Sequence, residues 1–100
     1  MKVLINVTQN NINSGRRRTS ERCPIYLAVK DKFDKLKLKY HYIAIGPKRL
    51  FYAIYIGNDV KSVKSHEILL PNKVQQWINT FDTSGKTAVK PIRFYIDINI

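Results

Sequence analysis

The sequence predicts an α+β domain: a single sheet of about five strands with two helices on one face, in the order β-α-β-β-β-α-β. Three observations carry that expectation. Apolar and polar residues alternate near both ends of the chain, two separate segments place apolar residues at helical spacing, and three strand-like segments follow one another in the middle with only turns between them. A chain of 100 residues is enough for one domain, and no linker, repeat or low-complexity tract divides it.

Residues 2–8 open the sheet, with Val3, Ile5 and Val7 on one side and Lys2, Asn6 and Thr8 on the other. From 9 to 21 the only strongly apolar residue is Ile12. That stretch reads as a loop which a short helical turn could open, and its tip, Arg16-Arg17-Arg18, is the most positive part of the chain. Cys23-Pro24 reads as the cap and first residue of a helix, because proline at that position lacks an N–H that would have no partner anyway. Ile25, Ala28, Val29 and Phe33 then share one helical face, and the helix is expected to end near Phe33.

Residues 35–42 alternate again, Leu36, Leu38, Tyr40 and Tyr42 against Lys35, Lys37, Lys39 and His41, which predicts a strand with one wholly cationic face. Gly46-Pro47-Lys48-Arg49 is a turn, and residues 50–56 are rich enough in β-branched and aromatic side chains to pair back as a second strand closed by Gly57-Asn58-Asp59. Residues 60–70 form a third strand. Val74, Trp77, Ile78 and Phe81 make the stripe of an amphipathic helix between Pro71 and Gly85. Ile92, Phe94, Ile96, Ile98 and Ile100 give the last strand a fully apolar face.

Ile12-Asn13-Ser14-Gly15, Cys23-Pro24-Ile25-Tyr26-Leu27-Ala28, Phe81-Asp82 with Gly85, and a terminal strand containing Phe94 after Pro91 are similar to a family of small bacteriophage and bacterial proteins. Its members share an Ile-x-x-Gly turn, a Cys-Pro-Ile-x-Leu-Ala helix and an Asp-x-x-Gly turn. The resemblance covers the whole chain and implies a fold and a phage-like context, but no activity and no site. The arginine tip and the lysine run are departures from it, and so are where this chain's own function is to be sought.

Charge is the strongest functional signal. Eighteen Lys and Arg against seven Asp and Glu leave a net +11, and residues 1–50 alone carry +9 of it, from 12 bases and three acids. Such an excess suits a phosphate backbone, whose condensed counterions are released as cations bind. The plainer reading is a solvated surface kept soluble by like charge. Arg16, Arg17, Arg18 and Arg22 offer guanidinium forks that bind phosphate or carboxylate in bidentate fashion. Lys35, Lys37 and Lys39 would track a backbone along a strand, or else guard an exposed sheet edge against aggregation. Lys48 and Arg49 in the next turn complete the binding set. Tyr40, Tyr42, Tyr55 and Tyr95 are candidates for base stacking, with packing as the alternative.

Catalysis finds little support. Cys23, His41 and His66 are too scattered for a nucleophile–base pair or a metal site, no carboxylate pair stands out, and no glycine-rich phosphate cradle is present. No enzyme, cofactor or metal is therefore expected. A lone cysteine and the absence of a signal or membrane-spanning segment point to the cytoplasm of a bacterial host cell. Two functions remain open: a non-enzymatic accessory protein that binds DNA or RNA, or an inhibitor of a host defence complex, of anti-CRISPR type, that docks on an acidic protein or ribonucleoprotein. Oligomeric state is not legible.

Overall fold

Alternation at the two chain ends becomes a pairing of those ends. A computed structural model describes residues 1–56 and 59–99. In it β1 (Lys2–Val7) runs antiparallel to β5 (Ile92–Asp97), with Lys2 opposite Asp97, Leu4 opposite Tyr95 and Val7 opposite Ile92. Val3, Ile5 and Val7 face inward with Phe94 and Ile96, and Ile98 continues that buried face past the end of β5. The terminal amine of Met1 donates to Asp97 Oδ1 and to the Ile98 carbonyl, and the Ile98 N–H donates back to the Met1 carbonyl.

The middle of the chain is a meander. β2 (Tyr40–Ile45), β3 (Arg49–Ile56) and β4 (Asp59–Leu69) pair in sequence order, antiparallel, with register irregularities at Tyr40/Tyr42 and Tyr55/Ile56. The turn expected at Gly57 and Asn58 and the strand end expected at Ile100 lie outside the described residues.

The class is α+β as expected, but the single five-stranded sheet is not formed. A two-stranded ribbon, β1–β5, and a three-stranded sheet, β2–β3–β4, share one core instead. Short turns let β2, β3 and β4 pair with their chain neighbours, which leaves the two terminal strands to satisfy each other. α2 (Pro24–Lys35) packs against both β1 and β2, burying Ile25, Ala28, Val29 and Phe33. Tyr52 of β3, fully buried, accepts from the Asn99 N–H at 2.9 Å through its hydroxyl and so ties the sheet to the chain beyond β5.

Among the described residues three α-helices stand where two were expected. α1 (Gln9–Ser14) is the short turn after β1, nucleated by a reciprocal cap in which the Asn11 N–H donates to Thr8 Oγ1 and the Thr8 N–H donates to Asn11 Oδ1. Its one large apolar residue, Ile12, is fully buried. α3 (Asn72–Ser84) buries Val74, Ile78 and Phe81 and ends at Gly85, whose φ of 87° suits glycine. A single 3₁₀ turn, Lys86–Ala88, leads to β5.

The cationic strand expected over residues 35–42 is corrected. α2 continues through Lys35 and ends in a Schellman motif: the Leu38 N–H donates to the Phe33 carbonyl and the Lys37 N–H to that of Asp34, with Lys37 in the left-handed region at φ 57°. Lys35 is therefore helical, Lys37 sits in a turn, and Lys39 precedes β2. Lysine favours a helix C-terminus, where its charge meets the negative end of the dipole, and a local period of two does not reveal that preference.

Candidate nucleic-acid interface

The arginine loop is held at both ends and in the middle. The Gly15 N–H closes α1 on the Asn11 carbonyl, and the Arg16 N–H donates to the Arg22 carbonyl at 2.8 Å, which makes residues 15–22 a compact loop of the Ω kind. Cys23 then caps α2, its Sγ accepting from the Tyr26 N–H at 3.4 Å, with Pro24 at the first helical position. Burial pushes the Cys23 thiol up to about 11, although the Tyr26 N–H opposes the shift, so at neutral pH the group is a buried thiol.

Arg17 is spent within the molecule. Its guanidinium donates to the Asp82 carbonyl through Nε and Nη2, and to the Thr83 carbonyl through Nη2 at 2.6 Å. These carbonyls belong to the last turn of α3, where a cation is favoured. The Arg18 N–H donates to Asp82 Oδ1 at 3.0 Å, and Arg18 takes a left-handed backbone at φ 59°. Arg17 thus anchors the loop to the end of α3 through Nε and Nη2, which sets it apart from the other expected binding residues.

The loop also docks on the meander. The Ile45 N–H donates to the Ser20 carbonyl at 2.8 Å, so the loop lies beside the turn between β2 and β3. A hollow of about 370 Å³ is lined by Arg18, Gly46, Pro47, Cys23 and Ile78, and also by Asp82, whose Oδ1 accepts from the Arg18 N–H. A second, of about 240 Å³, shares Gly46 and Pro47 and adds Lys48, Arg49 and Phe51. Arg18, Lys48 and Arg49 therefore surround one continuous surface at the Gly46-Pro47 turn, with Arg16 and Arg22 on the adjoining loop. All five are exposed, and none has a carboxylate within ion-pair distance among the described residues, whose ion pairs are Met1–Asp97 and Lys30–Asp34.

Of the nine expected binding residues, three line these hollows, Arg18, Lys48 and Arg49, while Arg16 and Arg22 meet at the neck of the same loop. Lys35, Lys37 and Lys39 do neither. Lys39 adjoins the first residue of β2 and the loop meets its last, so a six-residue strand, about 20 Å at 3.3 Å per residue, separates them.

The tyrosines divide as well. Tyr40 packs edge-on against Phe33 and donates its hydroxyl proton to Asp34 Oδ1, and Tyr55 shares a 3.1 Å hydrogen bond with His41 Nδ1. His66 stacks on Tyr52 at 5.1 Å. Tyr42 is 38% exposed and Tyr95 57%, which makes Tyr95 the more accessible ring.

Sequence reasoning missed Lys2, Lys32, Lys73 and Arg93, which line two adjoining hollows near Leu4. Alternation put Lys2 and Arg93 on outward faces, yet nothing local announced that their strands are partners.

No group of three or more His, Cys, Asp or Glu able to hold a metal occurs among the described residues, and no helix there is long and apolar enough to cross a membrane. No protein-family model, curated protein or solved structure matches the chain.

Proposed function

We propose that this protein binds nucleic acid, as a small accessory protein of phage type in a bacterial cytoplasm, by holding phosphates at the Gly46-Pro47 end. One observation carries the reading: Arg16, Arg18, Arg22, Lys48 and Arg49 are exposed with no ion pair among the described residues, on a loop and a neighbouring turn each closed by backbone hydrogen bonds. A backbone already held leaves mainly side-chain entropy to be lost on binding, and guanidinium forks match phosphate oxygens. The chain-wide surplus of +11 adds long-range attraction to a polyanion.

Fluorescence anisotropy with unrelated oligonucleotides tests this reading. Neutralising about five phosphates gives log K against log salt a slope of roughly −3.5 to −4.5, with little dependence on sequence. Arg16, Arg18 and Arg22 changed together to Ala should flatten the slope and weaken binding. Absence of binding at about 50 mM salt, where phosphate contacts are strongest, overturns the proposal and promotes the alternative of a protein or ribonucleoprotein target in a host defence complex.

A further inference from the structure

On the outward face of the β1–β5 ribbon Leu4 is half-buried, and Lys2, Arg93 and Tyr95 are exposed. Leu4 and Tyr95 lie directly opposite each other at its centre, with Lys2 and Arg93 diagonal to them. The two hollows on this face, about 430 and 610 Å³, share Leu4 and Arg93 and so form one groove. Lys32 and Lys35 of α2 line it on the β1 side. Lys73, in the first turn of α3, donates to the Arg93 carbonyl at 2.9 Å and lines it on the β5 side.

Two carboxylates share this surface: Asp31 lines the groove with Lys32 and Lys35, and Asp97, opposite Lys2, keeps 83% of its side chain exposed. Asp97 accepts from the Met1 amine at 3.0 Å and Asp31 from Asn11 Nδ2 at 3.3 Å. Tyr95 is 57% exposed, an unusual amount for so large a ring, and Lys2 Nζ stands 5.1 Å from its centroid, holding the ring by a cation–π contact.

We infer that this groove binds single-stranded nucleic acid, with a base stacked on Tyr95 and flanking phosphates held by Lys2, Lys73, Arg93, Lys32 and Lys35. The inference rests on the nucleic-acid reading and adds the strandedness of the ligand and a second contact site. An exposed ring ringed by cations matches a chain that alternates π faces with negative charge. A duplex keeps its bases stacked inside and leaves Tyr95 unused. An acidic peptide would satisfy the cations but offers nothing flat for the ring.

The test compares an oligothymidylate of roughly 12 nucleotides, within the usual site range of small single-strand binders, with a duplex of similar length. Tyr95→Ala should weaken single-strand binding about 5- to 100-fold, the range of one lost base stack, and leave duplex binding within about twofold. Tyr95→Phe should bind as wild type. Because the ring is exposed, circular dichroism should show Tyr95→Ala folded. Replacing Arg16, Arg18 and Arg22 with Ala should weaken both ligands.

Unchanged single-strand binding by Tyr95→Ala overturns the groove and leaves the arginine surface standing. Equal losses for both ligands, or displacement of the oligothymidylate by polyglutamate of equal charge, show an undiscriminating cationic patch and overturn the inference too. Failure of the wild type to bind either nucleic acid removes the broader reading with it.

Discussion

Gly15 and Pro24, nine positions apart, touch across the neck of the arginine loop. A Cβ placed on Gly15 would lie 2.5 Å from both Cδ and Cγ of Pro24 and 2.7 Å from its nitrogen. Gly15 has an ordinary extended backbone, φ −73° and ψ 153°, so absence of a side chain, rather than conformational freedom, is what the position requires. The end of α1 and the start of α2 can then meet, and the loop between them projects as a closed unit.

Gly15→Ala should therefore destabilise the fold by about 1–3 kcal/mol, the usual cost of overpacking. Urea unfolding measures it. A midpoint equal to wild type would show that the neck opens without cost.

Arg17 should separate from its neighbours in the same assay. Arg17→Ala removes three donations to the last carbonyls of α3 and should cost about 1 kcal/mol, discounted for exposure. Arg16→Ala and Arg22→Ala should each stay within about 0.5 kcal/mol of wild type. The reverse order in thermal or urea unfolding would contradict the anchoring role.

Lys37 holds a left-handed position that glycine usually takes at a helix end. Lys37→Gly should stabilise the protein by about 0.5–1 kcal/mol, because the steric penalty at φ 57° outweighs glycine's added freedom in the unfolded chain. Lys35→Gly, within α2, should cost about 1 kcal/mol. Stabilisation by both or by neither would place the helix end elsewhere.

Within α3 the two aromatics differ. Phe81 is buried, whereas Trp77 is half-exposed, stacks on Phe81 at 5.6 Å and donates Nε1–H to the Lys90 carbonyl. Phe81→Ala should cost about 3–5 kcal/mol and Trp77→Ala clearly less, about 1–2 kcal/mol. Calorimetric midpoints in that order are the expected outcome.

Cys23 makes stability fall in alkali. Its folded pKa of about 11 lies above the reference value of 9.0. The neutral thiol's contribution is therefore whole below pH 9 and is lost as pH rises through 11, with a size on the order of 2 kcal/mol. Tyr40 and Tyr52, raised mainly by burial, add the same sign at higher pH. Comparing stability at pH 8 and pH 11 for wild type and Cys23→Ala isolates the thiol, because the variant should show a smaller loss.

Periodicity determined which side chains face inward. Val3, Ile5 and Val7, the Ile25–Phe33 stripe, Phe94, Ile96 and Ile98, and the class α+β follow from alternation or helical spacing, since burial of apolar surface selects one face of each element wherever its partners lie. Proline after Cys23 and glycine after Ser84 likewise announced a helix start and a helix end.

Tertiary structure alone decided what meets what. Pairing of β1 with β5 depends on which strands are left after β2, β3 and β4 have paired locally, and that outcome created the Tyr95 groove. The lysine run kept its period of two but lost its strand, because Phe33 and Asp34 offered carbonyls that a helix cap satisfies. Arg17 is indistinguishable from Arg16 and Arg18 in composition. Only the approach of the end of α3 turned it from a candidate ligand contact into an anchor, and only the Ile45–Ser20 hydrogen bond set Lys48 and Arg49 beside the loop.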